Sequence, residues 1–314
     1  MTKIVFMGTP AFAVPSLEML LQEGYEVDAV VTQPDRPVGR KRVLTPTAVK
    51  AAALQHNLTV WQPEKLRVSS TIEDIRSLQP DLIVTAAYGQ ILPKSVLDIP
   101  RLGCINVHGS LLPKYRGGAP IQRSIMNGEL VTGVTIMYMA EGMDTGDMIS
   151  RVEVPITDAD NAGTMFEKLS AAGSDLLRRT LPELIAGRAE AVPQNNDEAT
   201  YAPNLKREDE QIDWTRPAQD LFNQVRGLVP FSGAFTMWNG EVFKVWACEA
   251  PADASSNAGG REPGTVLTAD ARGIEVQTGA GTLRLTEVQP AGKKAMPAAE
   301  FVRSGKLSQG TVLK

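Results

Sequence analysis

The residues best suited to chemistry lie in the segment CINVHGSLLPKYRGGAP, at positions 104–120. It contains His108, one of only two histidines among 314 residues, and Asn106 two positions earlier. Strand alternation would place both side chains on one side, where an amide can donate hydrogen bonds and an imidazole can exchange a proton. Asp144 adds a carboxylate in a second, glycine-flanked loop, EGMDTG. Together these groups can stabilise an oxyanion and move a proton, so the sequence predicts acyl-type transfer.

The neighbourhood of His108 contains no evident nucleophile. No serine is clearly paired with it, and Cys104 would lie deeper in the same strand. The pattern therefore favours direct transfer between two substrates over a covalent enzyme intermediate. The alternative is a structural histidine, which is the commoner role of a lone histidine on a strand.

Composition and charge exclude several classes of protein. The chain is 43% hydrophobic and 22% charged, with a net charge of −4, which argues against a general nucleic-acid coat protein. No apolar run approaches the roughly 18 residues of a membrane span, and MTKIVFMGTP is typical of a first strand and its turn rather than a signal peptide. Two cysteines without a CxxC motif predict neither a disulfide framework nor a zinc site. We expect a cytoplasmic monomer without a metal.

One basic segment interrupts this acidic chain. Residues 34–44, PDRPVGRKRVL, carry four basic side chains within seven positions. Two prolines and a glycine argue against a helix or an inner strand, so we expect a mobile surface loop. Such a patch suggests one selective anionic partner, and the alternative is a loop that is merely solvated.

The elements that would position these groups alternate between strands and helices in the first half. Apolar runs at 3–7, 26–32, 81–87 and 103–108 predict strands, and the segments between them have helical spacing. This alternation predicts a doubly wound, mostly parallel α/β sheet of Rossmann-like type, in which ligands bind beyond the carboxyl ends of the strands. Asn106 and His108 fall at such an end.

The second half of the chain has a different pattern of predicted elements. Residues 162–187 predict a long helix that Pro182 would kink or break. Short β-like runs with glycine turns follow, beginning with GAFTMWNG at position 233, which suggests a small β-barrel of oligonucleotide-binding (OB) type. The predicted domains are an α/β catalytic domain at 1–188, a linker at 189–207 and the OB-like domain at 208–314.

Two stretches carry a resemblance to a known family. NVHGSLLPKYRGGAPIQRSI (106–125) and GVTIMYMAEGMDTGDM (133–148) resemble the signature of enzymes that transfer formyl groups from 10-formyltetrahydrofolate. Within that family, the chain resembles the members that formylate methionyl-tRNA over essentially its whole length. The supporting motifs are FMGTPAFAVPSL, TQPDRPVGR, AAYGQILP, IDWTRPA and TEVQPAGKKAM.

The resemblance implies an activity, a co-substrate and a set of roles. A formyl group would pass from 10-formyltetrahydrofolate to the α-amine of methionyl-initiator-tRNA, which supplies formylmethionyl-tRNA for translation initiation. Asn106, His108 and Asp144 would be catalytic. The tetrahydrofolate pocket would be lined, largely through backbone, by Ser110, Leu111, Leu112 and Pro113. Residues for tRNA binding would be Arg36, Arg40, Lys41, Arg42, Lys293 and Lys294.

Three alternatives remain open at the level of sequence. A folate-dependent formyltransferase acting on a UDP-amino sugar would share the site and a similar C-terminal domain. A glycinamide ribonucleotide formyltransferase would leave about a hundred residues unexplained. A non-catalytic tRNA-binding module would have no need of Asn106, His108 and Asp144 together.

Overall fold

A computed structural model describes residues 2–39, 41–251 and 261–314. The chain divides into two compact units. The first unit comprises residues 1–118, 131–155 and 166–202, and the second comprises 119–130, 156–165 and 203–314. Two internal segments therefore group with the C-terminal part of the chain, whereas residues 189–202 group with the N-terminal part.

The strands of the first unit form one seven-stranded sheet and one hairpin. In chain order they are β1 Lys3–Gly8, β2 Glu26–Val31, β3 Arg36–Val38, β4 Val43–Thr45, β5 Val60–Trp61, β6 Leu82–Ala86, β7 Cys104–His108, β8 Val131–Tyr138 and β9 Met148–Pro155. The sheet order is β5-β2-β1-β6-β7-β8-β9. The first five strands in this order, β5, β2, β1, β6 and β7, pair in parallel. Strands β8 and β9 are antiparallel to their neighbours. The predicted mostly parallel sheet is confirmed.

The helices alternate with these strands and continue through the second unit. In chain order they are α1 Val14–Gln22, α2 Ala48–Gln55, α3 Ser69–Ser77, α4 Lys94–Leu97, α5 Pro120–Met126, α6 Ala162–Ile185, α7 Arg207–Glu210, α8 Ala218–Leu228 and α9 Ala298–Arg303. Strand β1 is buried on both faces, from Ile4 to Met7, because helices cover both sides of a doubly wound sheet.

Two local predictions differ from the structure. The segment 34–44 is not a simple loop, because β3 and β4 pair as an antiparallel hairpin separate from the main sheet. All six strand residues of this hairpin are exposed. The prolines therefore exclude the segment from the interior of a sheet but allow it to form an exposed hairpin. Helix α6 runs without a break through Pro182, which lies in its last turn. There a proline removes a single backbone hydrogen bond, and the buried side chains of Leu181 and Leu184 anchor the turn.

The second unit is built on a separate antiparallel sheet. Its strands are β10 Ala234–Trp238, β11 Glu241–Cys248, β12 Val266–Asp270, β13 Gly273–Gln277, β14 Thr282–Gln289 and β15 Met296–Pro297. The order is β10-β11-β14-β13-β12, with β15 beside β14. One side of the sheet holds the aromatic cluster of Trp238, Phe243 and Phe301. Helices α5 and α8 pack together within this unit, and Gly227 of α8 leaves room for Met126 of α5.

Candidate active site

The imidazole of His108 is oriented by a backbone carbonyl. Its Nε2 lies 3.0 Å from the carbonyl oxygen of Tyr115, and a carbonyl can only accept a hydrogen bond, so Nε2 carries a proton. The other ring nitrogen, Nδ1, therefore remains the atom that can gain or lose a proton. The side chain is only 6% exposed at the end of β7.

The carboxylate of Asp144 lies on the Nδ1 side of the same ring. Its Oδ2 is 3.8 Å from Nδ1, beyond a direct hydrogen bond, and accepts a 2.8 Å bond from the backbone N–H of Gly117. The direct hydrogen-bond partner of the imidazole is therefore the carbonyl of Tyr115 and not Asp144. Asp144 itself has a left-handed backbone, with φ of 51°. Its side chain is 19% exposed, so it can still meet a substrate.

The amide of Asn106 is oriented by a neighbouring strand. Thr85 on β6 is in register with Asn106 on β7, and its hydroxyl donates to Asn106 Oδ1 over 2.9 Å. With its oxygen engaged, the amide directs its N–H groups away from Thr85. Thr85 is 2% exposed and had no distinguishing feature in the sequence. Only the register between two parallel strands identifies it.

The loop after β7 is closed by its own hydrogen bonds. The hydroxyl of Ser110 donates to the carbonyl of Lys114 over 2.7 Å, and Ser110 is fully buried. Thr135 on β8 donates to the carbonyl of Ser110 and accepts from the backbone N–H of Leu112. Leu112 is buried, whereas Leu111 and Pro113 are partly exposed. The Ser110 hydroxyl, the Ser110 carbonyl and the Leu112 N–H therefore fix the loop, and the side chain of Leu111 packs against Gly133 of β8.

A buried polar network joins the loops that carry His108 and Asp144. Gln194 donates from Nε2 to the carbonyls of Asp144 and Gly146, both at 2.8 Å. Its Oε1 accepts two hydrogen bonds from the guanidinium of Arg116, at 2.8 and 3.0 Å. Sequence reasoning missed Gln194, because it lies in a stretch without periodicity that was interpreted as a linker.

Comparison with known proteins adds the family. The family model described as "Formyl transferase" matches residues 2–181, and "Formyl transferase, C-terminal domain" matches residues 204–306. This chain belongs to the formyl transferase family. The resemblance found in the sequence is thereby confirmed.

Relatives and solved structures agree with this formyl transferase assignment. The chain is 55% identical to the methionyl-tRNA formyltransferase of Bacillus velezensis, over 100% of this chain and 98% of the relative. An N-formyltransferase from Helicobacter canadensis, solved with folinic acid and dTDP-3-aminofucose, matches with TM-score 0.66 and 19% identity over 91% of this chain and 99% of that one. HypX from Aquifex aeolicus in complex with tetrahydrofolic acid matches with TM-score 0.63 and 18% identity, over 95% of this chain and 46% of that one. At these identities, the two structures support the fold.

Cys104 does not supply a nucleophile in this formyl transferase. The thiol is buried, lies within 3.9 Å of the carbonyls of Val96 and Leu97, and has a pKa raised to about 12, mainly by burial. Because a thiolate is the reactive form, this cysteine is inert near neutral pH. The result agrees with direct transfer between substrates.

The basic residues assigned to tRNA lie on both units. Arg36 is on β3 and forms a 3.7 Å ion pair with the exposed Glu64, while Lys41 and Arg42 are exposed in the hairpin turn. Lys293 and Lys294 are exposed after β14 in the second unit. Arg40 lies outside the described residues.

Two other arginines near the motif have structural partners. Arg116 is 2% exposed and belongs to the Gln194 network. Arg123 on α5 forms two hydrogen bonds with the carboxylate of Asp209, at 2.9 and 2.8 Å, which hold the pKa of that carboxyl below its usual value. Both guanidinium groups are therefore engaged by partners within their own unit.

Neither a metal cluster nor a membrane helix is found in the described part of the chain. Among those residues, no group of three or more His, Cys, Asp and Glu side chains could hold an ion. None of the described helices is long and apolar enough to cross a bilayer.

Proposed function

We propose that this formyl transferase moves the formyl group of 10-formyltetrahydrofolate to the α-amino group of methionyl-initiator-tRNA. The observation that carries the proposal is the 3.8 Å approach of Asp144 Oδ2 to His108 Nδ1, with Asn106 two residues before His108 on the same strand. The acceptor is proposed from the full-length 55% identity to a methionyl-tRNA formyltransferase. Its product would be formylmethionyl-tRNA, the substrate for translation initiation.

The reaction requires an oxyanion site and one net proton transfer. The lone pair of the α-amine attacks the formyl carbon on N10, a C–N bond forms, and the carbonyl becomes an oxyanion. The tetrahedral intermediate then collapses as the bond from carbon to N10 breaks. One proton leaves the attacking amine and one reaches N10, so the reaction needs neither an oxidant nor a reductant.

The three catalytic side chains divide this work. The Asn106 N–H and protonated His108 Nδ1 donate to the oxyanion, which is the step at which each donor contributes about 3–4 kcal/mol in sites of this kind. Asp144 lies beside Nδ1 and accepts the proton lost by the amine, directly or through water. The hydrogen bond that Nε2 donates to the carbonyl of Tyr115 keeps the imidazole turned so that Nδ1 faces the reacting atoms.

The folate co-substrate is assigned to the loop Ser110–Pro113. Since the Ser110 hydroxyl is bonded to Lys114, recognition here would use backbone groups and the side chains of Leu111 and Pro113. A loop fixed by Thr135 presents these groups without an ordering cost on binding.

The tRNA would be held by basic residues of both units, Arg36, Arg40, Lys41, Arg42, Lys293 and Lys294. We assign the antiparallel sheet of the second unit to an OB-like barrel. The same proposal ends the catalytic domain at residue 188 and begins the OB-like domain at residue 208. The enzyme would act as a monomer in the cytoplasm.

The test is a formyl-transfer assay with radiolabelled 10-formyltetrahydrofolate and two acceptors, methionyl-initiator-tRNA and a UDP-amino sugar. We expect transfer to the tRNA alone, and preference for the sugar would refute the acceptor assignment. A triple variant with alanine at Arg36, Lys41 and Arg42 should raise KM for tRNA and leave the folate Kd unchanged. Each lost phosphate contact should make the salt dependence of tRNA binding shallower by about 0.7–0.9 in log–log slope. A Lys65→Ala variant, which removes an exposed lysine outside the hairpin, is the control.

A further inference from the structure

The loop that carries Asp144 adopts a backbone that must be held in place. Asp144 has a φ of 51°, a left-handed conformation that an L-residue rarely adopts without support. At Gly146, a Cβ atom would lie 1.8 Å from the carbonyl oxygen of Tyr138, so the loop passes tightly against its preceding strand. The position of the carboxylate therefore depends on contacts made by the main chain of this loop.

Two of those contacts come from one side chain. Gln194 Nε2 donates to the carbonyls of Asp144 and Gly146, both at 2.8 Å, and the residue is 9% exposed. A primary amide has two N–H donors, so these two bonds use its full donor capacity. Gln194 thus binds the backbone of the loop on either side of Thr145.

Arg116 determines which way the Gln194 amide faces. Its Nε and Nη2 both donate to Gln194 Oε1, and Nη2 also donates to Asn196 Oδ1. A guanidinium can only donate hydrogen bonds, so the amide must turn its oxygen toward Arg116. The N–H groups of the amide therefore face the Asp144 loop. The orientation of Gln194 is therefore fixed from both ends.

The same arginine lies between the two backbone groups that hold the catalytic pair. The residue before it, Tyr115, accepts from His108 Nε2, and the residue after it, Gly117, donates to Asp144 Oδ2. Its own main chain is tied to the segment after Gln194, with bonds to Thr200 and Ala202 of 2.8 and 2.7 Å. One connected network therefore sets the position of both His108 and Asp144.

We propose that Gln194, oriented by Arg116, is a positioning residue that holds Asp144 at its working distance from His108. The segment 189–202 then serves the active site instead of merely connecting domains. This inference rests on the proposed function for its kinetic test.

The decisive variant is Gln194→Glu. A carboxylate keeps the size of the side chain and can still accept from Arg116, so it preserves that half of the network. It has no N–H groups and turns oxygen toward two carbonyl oxygens. If Gln194 positions Asp144, Gln194→Glu should lower kcat about 10–100-fold, as expected for misplacement of a catalytic group by about 1 Å, with KM for tRNA little changed. Gln194→Ala should do the same.

Two comparisons separate positioning from general stability. Asn195→Asp introduces the same charge at the adjacent, exposed residue and should keep the wild-type kcat. In the background of Asp144→Asn, Gln194→Ala should cause little further loss, because its effect acts through that carboxylate. Wild-type kcat in Gln194→Glu, or losses that simply multiply in the double variant, would overturn the proposal.

A readout without turnover distinguishes this inference from the acceptor assignment. Amide hydrogen exchange in the peptide covering 141–147, and at Gly117, should accelerate in both Gln194 variants and not in Asn195→Asp. If the wild-type enzyme fails to formylate methionyl-tRNA but the exchange changes as expected, only the proposed acceptor is wrong. If exchange is unchanged, the positioning role is wrong whatever the acceptor.

Discussion

Replacement of Thr85 by valine would test the orientation of the Asn106 amide. The Thr85 hydroxyl lies 2.9 Å from Asn106 Oδ1 and 3.0 Å from the carbonyl of Ile105, and its single proton can serve only one of them at a time. Valine has nearly the same shape, so it removes the hydroxyl without opening a large cavity. We expect a slower chemical step, with substrate binding unchanged.

The size of the effect follows from the bond that is lost. A neutral hydrogen bond contributes about 1 kcal/mol net, which corresponds to roughly a fivefold change in rate. Complete removal of an oxyanion donor lowers kcat about 10²–10³-fold, which is the effect we expect for Asn106→Ala. The same figure is the upper limit for the effect of Thr85→Val. Thr85→Val should therefore lower kcat about 3- to 10-fold.

The assay is single-turnover formylation with saturating folate co-substrate, which isolates chemistry from product release. Thr85→Ser retains the hydroxyl and loses the methyl group, and it should keep most of the wild-type rate. Adding Thr85→Val to Asn106→Ala should have no further effect. A slow Thr85→Ser variant beside a normal Thr85→Val variant would show that packing matters at this position, and would refute the orientation argument.

Three further predictions concern other parts of the molecule. His108→Ala should lower kcat by about two orders of magnitude or more with an unchanged melting temperature, and near-normal turnover would reduce this residue to a structural one. Arg123→Ala should lower the free energy of unfolding by about 1.5–3 kcal/mol at pH 7, as measured by urea titration. Because Arg123 lowers the pKa of Asp209 in the folded state, this loss of stability should persist above about pH 4 and shrink as the pH falls further. A loss of stability that does not change with pH would contradict this linkage. A fragment of residues 1–205 should melt at a lower temperature than the full chain and bind a hydrophobic dye, since it keeps α5 but lacks α8; equal melting temperatures would disprove the dependence.

The sheet and its site edge were predictable because their signals are local. Apolar runs such as residues 3–7 and 81–87 form buried strands almost as the sequence indicates, and Asn106 and His108 follow from alternation along one strand. The hairpin at 36–45 was missed because its strands bury no side chain, and periodicity can report only a buried face.

The supporting residues could not be predicted for a different reason. Thr85 acquires its role from the register between β6 and β7, and Gln194 acquires its role from contacts with residues 50 and 78 positions away. Nothing in the sequence around either residue specifies those partners. Polar side chains in an irregular stretch are most often exposed to solvent, so the pattern of residues 189–207 indicates a linker and gives no sign that Gln194 is buried.

The division of the chain into interleaved units has a consequence for synthesis. Helix α5 leaves the ribosome about 90 residues before α8, the helix that packs against it in the finished second unit. At elongation rates of about 5–20 residues per second, this delay lasts roughly 5–20 seconds. During that interval Met126 lacks its native contact with Gly227 of α8, although strands β7 and β8 can already pair. The nascent chain therefore carries α5 without its partner helix throughout this interval, so the apolar side chains of α5 are open to non-native association during synthesis.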